Sequence, residues 1–115
     1  KVDSLRERID NPIIVSTGEL NDEPDDLSIN ESLGAINDTE EVKSGDLVNL
    51  MYPIKNKFGT HSFAGEWGVL DQFIVSENLL GYENSSTGYG SVGFFDAPWL
   101  LKENAAGNSV TNRSF

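Results

Sequence analysis

The stretch Ile13-Ile14-Val15-Ser16-Thr17-Gly18-Glu19-Leu20-Asn21-Asp22-Glu23-Pro24 decides how the rest of the chain is read. Its first three residues are apolar and β-branched without alternation, a pattern that suits a strand covered on both faces. Ser16-Thr17-Gly18 reads as the turn that ends it. Upstream, Val2, Leu5 and Ile9 fall at helical spacing, and Asn11-Pro12 breaks that helix. Downstream, Pro24 fits a first helical position, with Asp25 and Asp26 facing the positive helix start and Leu27, Ile29 and Leu33 as its apolar side. Gly34 is placed to end this short helix. Helix, break, buried strand and glycine turn are the pattern of an α/β fold.

Beyond it, residues 37–46 are polar and read as loop, and Leu47-Val48-Asn49-Leu50-Met51 is an apolar patch stopped by Pro53. From Gly59 the pattern becomes β. Thr60-His61-Ser62-Phe63 reads as a strand, with Ala64-Gly65-Glu66-Trp67-Gly68 as its turn. Val69-Leu70-Asp71-Gln72-Phe73-Ile74-Val75 is the clearest strand of the chain. Residues 83–91 are a Gly/Ser/Asn loop, and Val92 to Leu101 is the last packing segment, with Phe94, Phe95, Trp99 and Leu100 as its anchors. These readings divide the chain into a folded unit over 1–101 and a polar, flexible tail over 102–115.

Composition narrows the functions. In 115 residues, 19 Asp and Glu outweigh 8 Lys and Arg, for a formal charge of −11. Phosphate backbones are held mainly by Lys and Arg, so this balance argues against non-specific nucleic-acid binding and against anionic membranes. Cysteine is absent, which excludes disulfides and thiolate metal sites but fits any compartment. Hydrophobic residues make up 37% of the chain, low for a self-sufficient core.

Three places carry candidate chemistry. Glu19 and Asn21 follow the first strand, where ligands gather in open α/β sheets. Two residues apart in extended backbone, they point the same way, which suits a hard cation or a phosphate oxygen. A strand-end turn in which Asn21 or Asp22 caps the next helix accounts for the same residues more simply. Asp71 alternates with Val69, Phe73 and Val75 on an apolar face, so it either has a partner such as a His or lies solvated at the sheet's end. His61, the only histidine, reads as an ordinary surface or packed residue. The acidic run over 22–26 lacks the alternating ligands and glycine of a calcium loop and reads as a solvated helix start. Trp67 and Trp99 read as packing anchors.

Taken in order, these segments resemble the endonuclease/exonuclease/phosphatase superfamily of metallohydrolases. The stretch ending Gly18-Glu19-Leu20-Asn21-Asp22-Glu23-Pro24 is similar to that family's Gly-Asp-Phe-Asn-Asp-Glu-Pro loop. Gly59 to Phe63 and Trp67-Gly68-Val69-Leu70-Asp71-Gln72-Phe73-Ile74-Val75-Ser76 look like its later hairpin, in which an Asp opens a strand ending in Val-Ser. Phe94-Phe95-Asp96-Ala97-Pro98-Trp99-Leu100 is similar to a segment that follows in bacterial members.

The resemblance implies a partial β-sandwich flanked by short helices, the C-terminal part of a four-layer fold. It implies hydrolysis of phosphate esters with magnesium or manganese, with Glu19, Asn21 and Asp71 as the catalytic residues. Glu19 stands where the family has an Asp that helps activate water, and it is the weak candidate for a metal ligand. Asn21 stands where an Asn steadies the phosphate, and Asp71 where an Asp orients the catalytic His. The longer Glu19 shifts its carboxylate by about an ångström, a displacement that can cost about a hundredfold in rate. The family's metal-binding Glu, an upstream Asn and the Ser-Asp-His that supplies the catalytic His have no counterpart here. Arg113-Ser114-Phe115 resembles only the approach to that last motif.

The expectation is therefore a fragment of a phosphoesterase, inactive alone, binding no metal tightly, and self-associating through an exposed sheet surface. A non-catalytic binding or structural module on the same scaffold is one alternative, and an unrelated small α/β domain is another. The substrate is a phosphoester, with a weak case for nucleic acid and none for a membrane.

Overall fold

The computed structural model describes residues 2–81, 87–95 and 97–111. Its centre is a four-stranded sheet built from β1 (Val15–Glu19), β2 (Ala35–Ile36), β3 (Leu47–Asn49) and β6 (Asp71–Ser76), in the order β1-β6-β3-β2. β6 runs antiparallel to both β1 and β3, and β2 runs parallel to β3. Two hairpins lie beside the sheet: β4 (His61–Phe63) with β5 (Glu66–Gly68), and β7 (Leu101–Glu103) with β8 (Ser109–Thr111). The helices are short: α1 (Val2–Arg6), a π-helical turn over Ser28–Ser32, and α2 (Glu77–Leu80). The architecture is mixed α/β, dominated by strands.

The sheet explains most of the core. Ile74 and Leu47 on one face pack with Ile14, Ile29 and Ala35, and Val2 of α1 and Leu33 close over them. Val48, Leu50 and Val75 on the other face meet Val42, Leu79, Leu80 and Val92. β6 is thus covered on both sides, and Ile74 and Val75 are fully buried. Ile13-Ile14-Val15, read above as the doubly covered strand, is not. Only Ile14 is buried; Ile13 is 50% and Val15 52% exposed. The strand begins at Val15 and includes Gly18, so Ser16-Thr17-Gly18 is strand rather than turn. β1 lies at the sheet's edge, paired with β6 alone, and only its Ile14 side packs into the core while the side carrying Ile13 and Val15 faces out.

Other expectations shift for local reasons. Pro24 is buried in a loop and does not open a helix; the helical turn starts at Ser28, and Gly34, at φ 74°, ends it as read. The turn after Phe63 is only Ala64-Gly65, both at positive φ, the two-residue geometry that suits the twist of a hairpin. Glu66–Gly68 is its second strand. Residues 101–111, read as polar tail from Lys102, pair as a hairpin. The Asn104 side chain builds its turn by accepting from the amides of Ala106 and Asn108 at 2.9 and 3.0 Å. The approach motif at 113–115 and part of the 83–91 loop lie outside the described residues. The Cα radius of gyration is 16.3 Å, against about 13 Å for a compact domain of this length.

Candidate functional site

The register of the sheet brings two of the three candidates together. Glu19 is the cross-strand partner of Asp71. The amide of Leu20 donates to the carbonyl of Leu70 at 2.9 Å, so the Glu19–Asp71 pair lies between ladder hydrogen bonds, the position where side chains come closest. Like charges directly opposite one another weaken a sheet, and both carboxylates are exposed. Asp71 is thus the solvated residue at the sheet's end, not a carboxylate buried in an apolar face. Its backbone is anchored: the Thr60 hydroxyl accepts from the amides of Leu70 and Asp71 at 3.1 and 3.0 Å.

Asn21 takes a different course. Its φ of 59° is left-handed, a conformation Asn tolerates better than most residues. The extended geometry that would align it with Glu19 is therefore absent, and β1 ends at Glu19. Nor does it cap a helix. Asp22 accepts from the Ser28 hydroxyl at 2.7 Å, and Asp26 accepts from the amide of Glu23 at 2.7 Å.

The loop is held from below by a buried amide. Gln72 Nε2 donates to the carbonyls of Asp22 and Val69 at 2.8 and 2.7 Å, and Gln72 Oε1 accepts from Asn49 Nδ2 at 3.1 Å. Glu23 adds a second tie, with Oε1 accepting from the amide of Val69 at 3.0 Å. A Cβ on Gly68 would lie 2.6 Å from that oxygen, so the glycine lets the carboxylate reach the strand. Glu23 Oε2 is buried without a partner among the described residues. Lys55 forms an ion pair with Asp25 on the same loop and holds that carboxyl below its usual range by hydrogen bonding. The acidic run over 22–26 is therefore a braced loop and not a solvated helix start.

The sequence profile of the endonuclease/exonuclease/phosphatase family matches residues 1–115. The chain belongs to that family. No curated protein and no solved structure matches it. Membership removes the reading of an unrelated α/β domain, and the scaffold is a phosphoesterase-type fold whose members act on phosphoesters with divalent metals.

The family's cation can be tested against these residues. Among the described residues, no group of three or more His, Cys, Asp or Glu could hold a metal ion. Glu19 and Asp71 supply two carboxylates, which is the share Mg2+ commonly takes from protein, with water and substrate phosphate completing its shell. The donor set thus fits a cation bound together with substrate rather than a protein cage. His61 lies elsewhere, half-buried on β4 opposite Gly68. Trp67 and Trp99 are both exposed, though Trp67 Nε1 donates to the carbonyl of Ser109 at 3.2 Å and so joins the two hairpins.

Sequence reasoning missed Thr60, Gln72 and Glu23. Gln72 left a signal, as a lone amide in the apolar run Phe73-Ile74-Val75. Glu23 left one only in the family's loop motif, since by composition an acidic residue in an acidic run looks like any other.

Proposed function

We infer that this chain is the C-terminal part of a metal-dependent phosphoesterase and that alone it does not turn over. The observation that carries the reading is the Glu19–Asp71 pair, two like charges opposed across one strand ladder beside the family's loop. Such a pair costs stability unless a cation or a reaction uses it. The exposed Ile13, just before the edge strand, and Val15, at its start, support incompleteness, since they fit a face that another layer covers. The same surface is where copies of the isolated chain would associate.

Glu19, with Asp71 opposite, is the residue that would hold Mg2+ or Mn2+, which when bound neutralises charge on the phosphoryl oxygens. The Glu19 carboxylate also stands where a proton is taken from attacking water. Asn21 offers a carboxamide to a phosphate oxygen, and Asp71 stands where the family has an Asp that orients the catalytic His, a role that His61, the one histidine of the sequence, does not fill from β4. The charge of −11 weighs against duplex DNA as substrate. A binding module that kept the scaffold is the second reading, favoured by the lack of a three-ligand group among the described residues.

Titration with Mn2+, followed by paramagnetic broadening of amide resonances, separates the two. The expected result is early broadening at Leu20, Asn21 and Asp71 that Glu19→Gln removes. Uniform broadening indifferent to Glu19→Gln and Asp71→Asn favours the binding module. With Mg2+ and bis(p-nitrophenyl) phosphate, the expected turnover is none. Turnover abolished by Glu19→Ala and Asn21→Ala would overturn the inactivity, and turnover surviving both would overturn the site.

A further inference from the structure

We propose that the aromatic cavity beside the acid pair binds the planar aromatic group of a phosphate ester, so that the ester's phosphate faces the Glu19–Asp71 end. This rests on the phosphoesterase reading above and adds the chemistry of the group that carries the phosphate.

The cavity has a volume of about 630 Å3 and is walled by Phe58, Trp67, Phe94 and Phe95, within the range usual for small-molecule sites. The Phe58 and Phe94 rings lie 5.4 Å apart and tilted by 44°. Phe58 and Phe95 are more than half exposed, so these rings border an opening instead of filling a core. Ring faces gain from stacking on a planar group beyond the area they bury, and an alkyl chain offers burial alone. Lys57 also lines the cavity, a cation in a strongly acidic chain and a counter-charge for an anionic substituent.

The wall is built. A Cβ on Gly59 would lie 2.6 Å from the Trp67 Cβ, so that backbone rests directly on Trp67, whose indole is tied to Ser109. The wall is joined to the strand that carries the acid pair: Thr60 lines the cavity and its hydroxyl accepts from the backbone amide of Asp71, while the two carboxylates lie outside the lining.

The test uses the 15N-labelled full chain with Mg2+, titrated with 2-naphthol, 2-naphthyl phosphate and n-octyl phosphate. The Trp67 indole resonance is assigned with Trp67→Phe. Expected are shifts of the Trp67 indole and the Thr60 amide with both naphthyl ligands. Octyl phosphate should bind about fivefold more weakly than 2-naphthyl phosphate, and Phe58→Ala should weaken both naphthyl ligands by about fivefold. Phe63→Ala, on an exposed ring outside the cavity, should change neither. No shift with 2-naphthol, equal affinity for octyl phosphate, or indifference to Phe58→Ala in a chain whose β6 amides are unmoved would each overturn the proposal. Equal binding of 2-naphthol and 2-naphthyl phosphate would overturn the phosphate-ester assignment while leaving the Mn2+ result to judge the acid pair separately.

Discussion

The four-stranded sheet and the two hairpins are held together by different forces. The sheet buries apolar side chains on both faces of β6 and β3, and its polar interior residues, Asn49 and Gln72, bond each other. The hairpins and the segment leading into the second leave Phe63, Phe95 and Trp99 largely in solvent, and the hairpins are secured by directed bonds such as that from Trp67 to Ser109. The candidate site lies where these regions meet: Glu19 and Asp71 come from the sheet, and Thr60 reaches them from the hairpin side. Rigidity is thus supplied from one side, and the aromatic cavity from the side with less burial behind it.

The contrast breaks most visibly in the core. Ile74→Ala empties a fully buried site and should cost about 2–5 kcal/mol, whereas Trp99→Ala should cost about 0.5–1 kcal/mol, the worth of an aromatic edge contact. Urea midpoints measure both, and equal losses would show that the turn over Pro98–Leu100 that leads into the second hairpin carries as much of the fold as the sheet. Gln72→Leu should cost about 1–3 kcal/mol by leaving the Asn49 amide and the Asp22 and Val69 carbonyls without their partner. Amide exchange should then quicken over 21–23 while the β7–β8 hairpin is unchanged.

The smallest effect is electrostatic. Asp25 sits below its ordinary carboxyl value because Lys55 bonds its charged form. A depressed folded pKa stabilises above the unfolded value of 3.8 and loses that contribution as pH falls through the folded one. Asp25 is 46% exposed, so solvent screening limits Asp25→Asn to about 0.5 kcal/mol at neutral pH. The difference from the parent chain should vanish in acid, as urea titrations at several pH values would show.

Much of this was legible in the sequence. The β6 strand, the loop over 37–46, the Gly34 stop and the family followed from residue patterns and motif order. The bounds and exposure of β1 did not, because a short apolar run cannot say whether a layer packs on each of its faces. The Asn104 turn was obscured by composition: small polar residues suggest a tail unless one side chain closes the loop. The Glu19–Asp71 pairing needed the register, which links residues far apart in the chain. Asn21 was misread because a left-handed residue undoes the two-residue rule on which the alignment depended.

The edge position of β1 has a consequence for the solvent clock of the backbone. Ser16 and Gly18 face Ile74 and Gln72 across the hydrogen-bonding positions of the ladder, so their amides point inward, while those of Val15, Thr17 and Glu19 point away from β6. Deuterium uptake along this strand should read as a comb, slow at even residues and fast at odd ones. Any strand that docks on the edge would flatten the comb, and it would do so at Glu19 as well, because that residue's main chain lies on the open side.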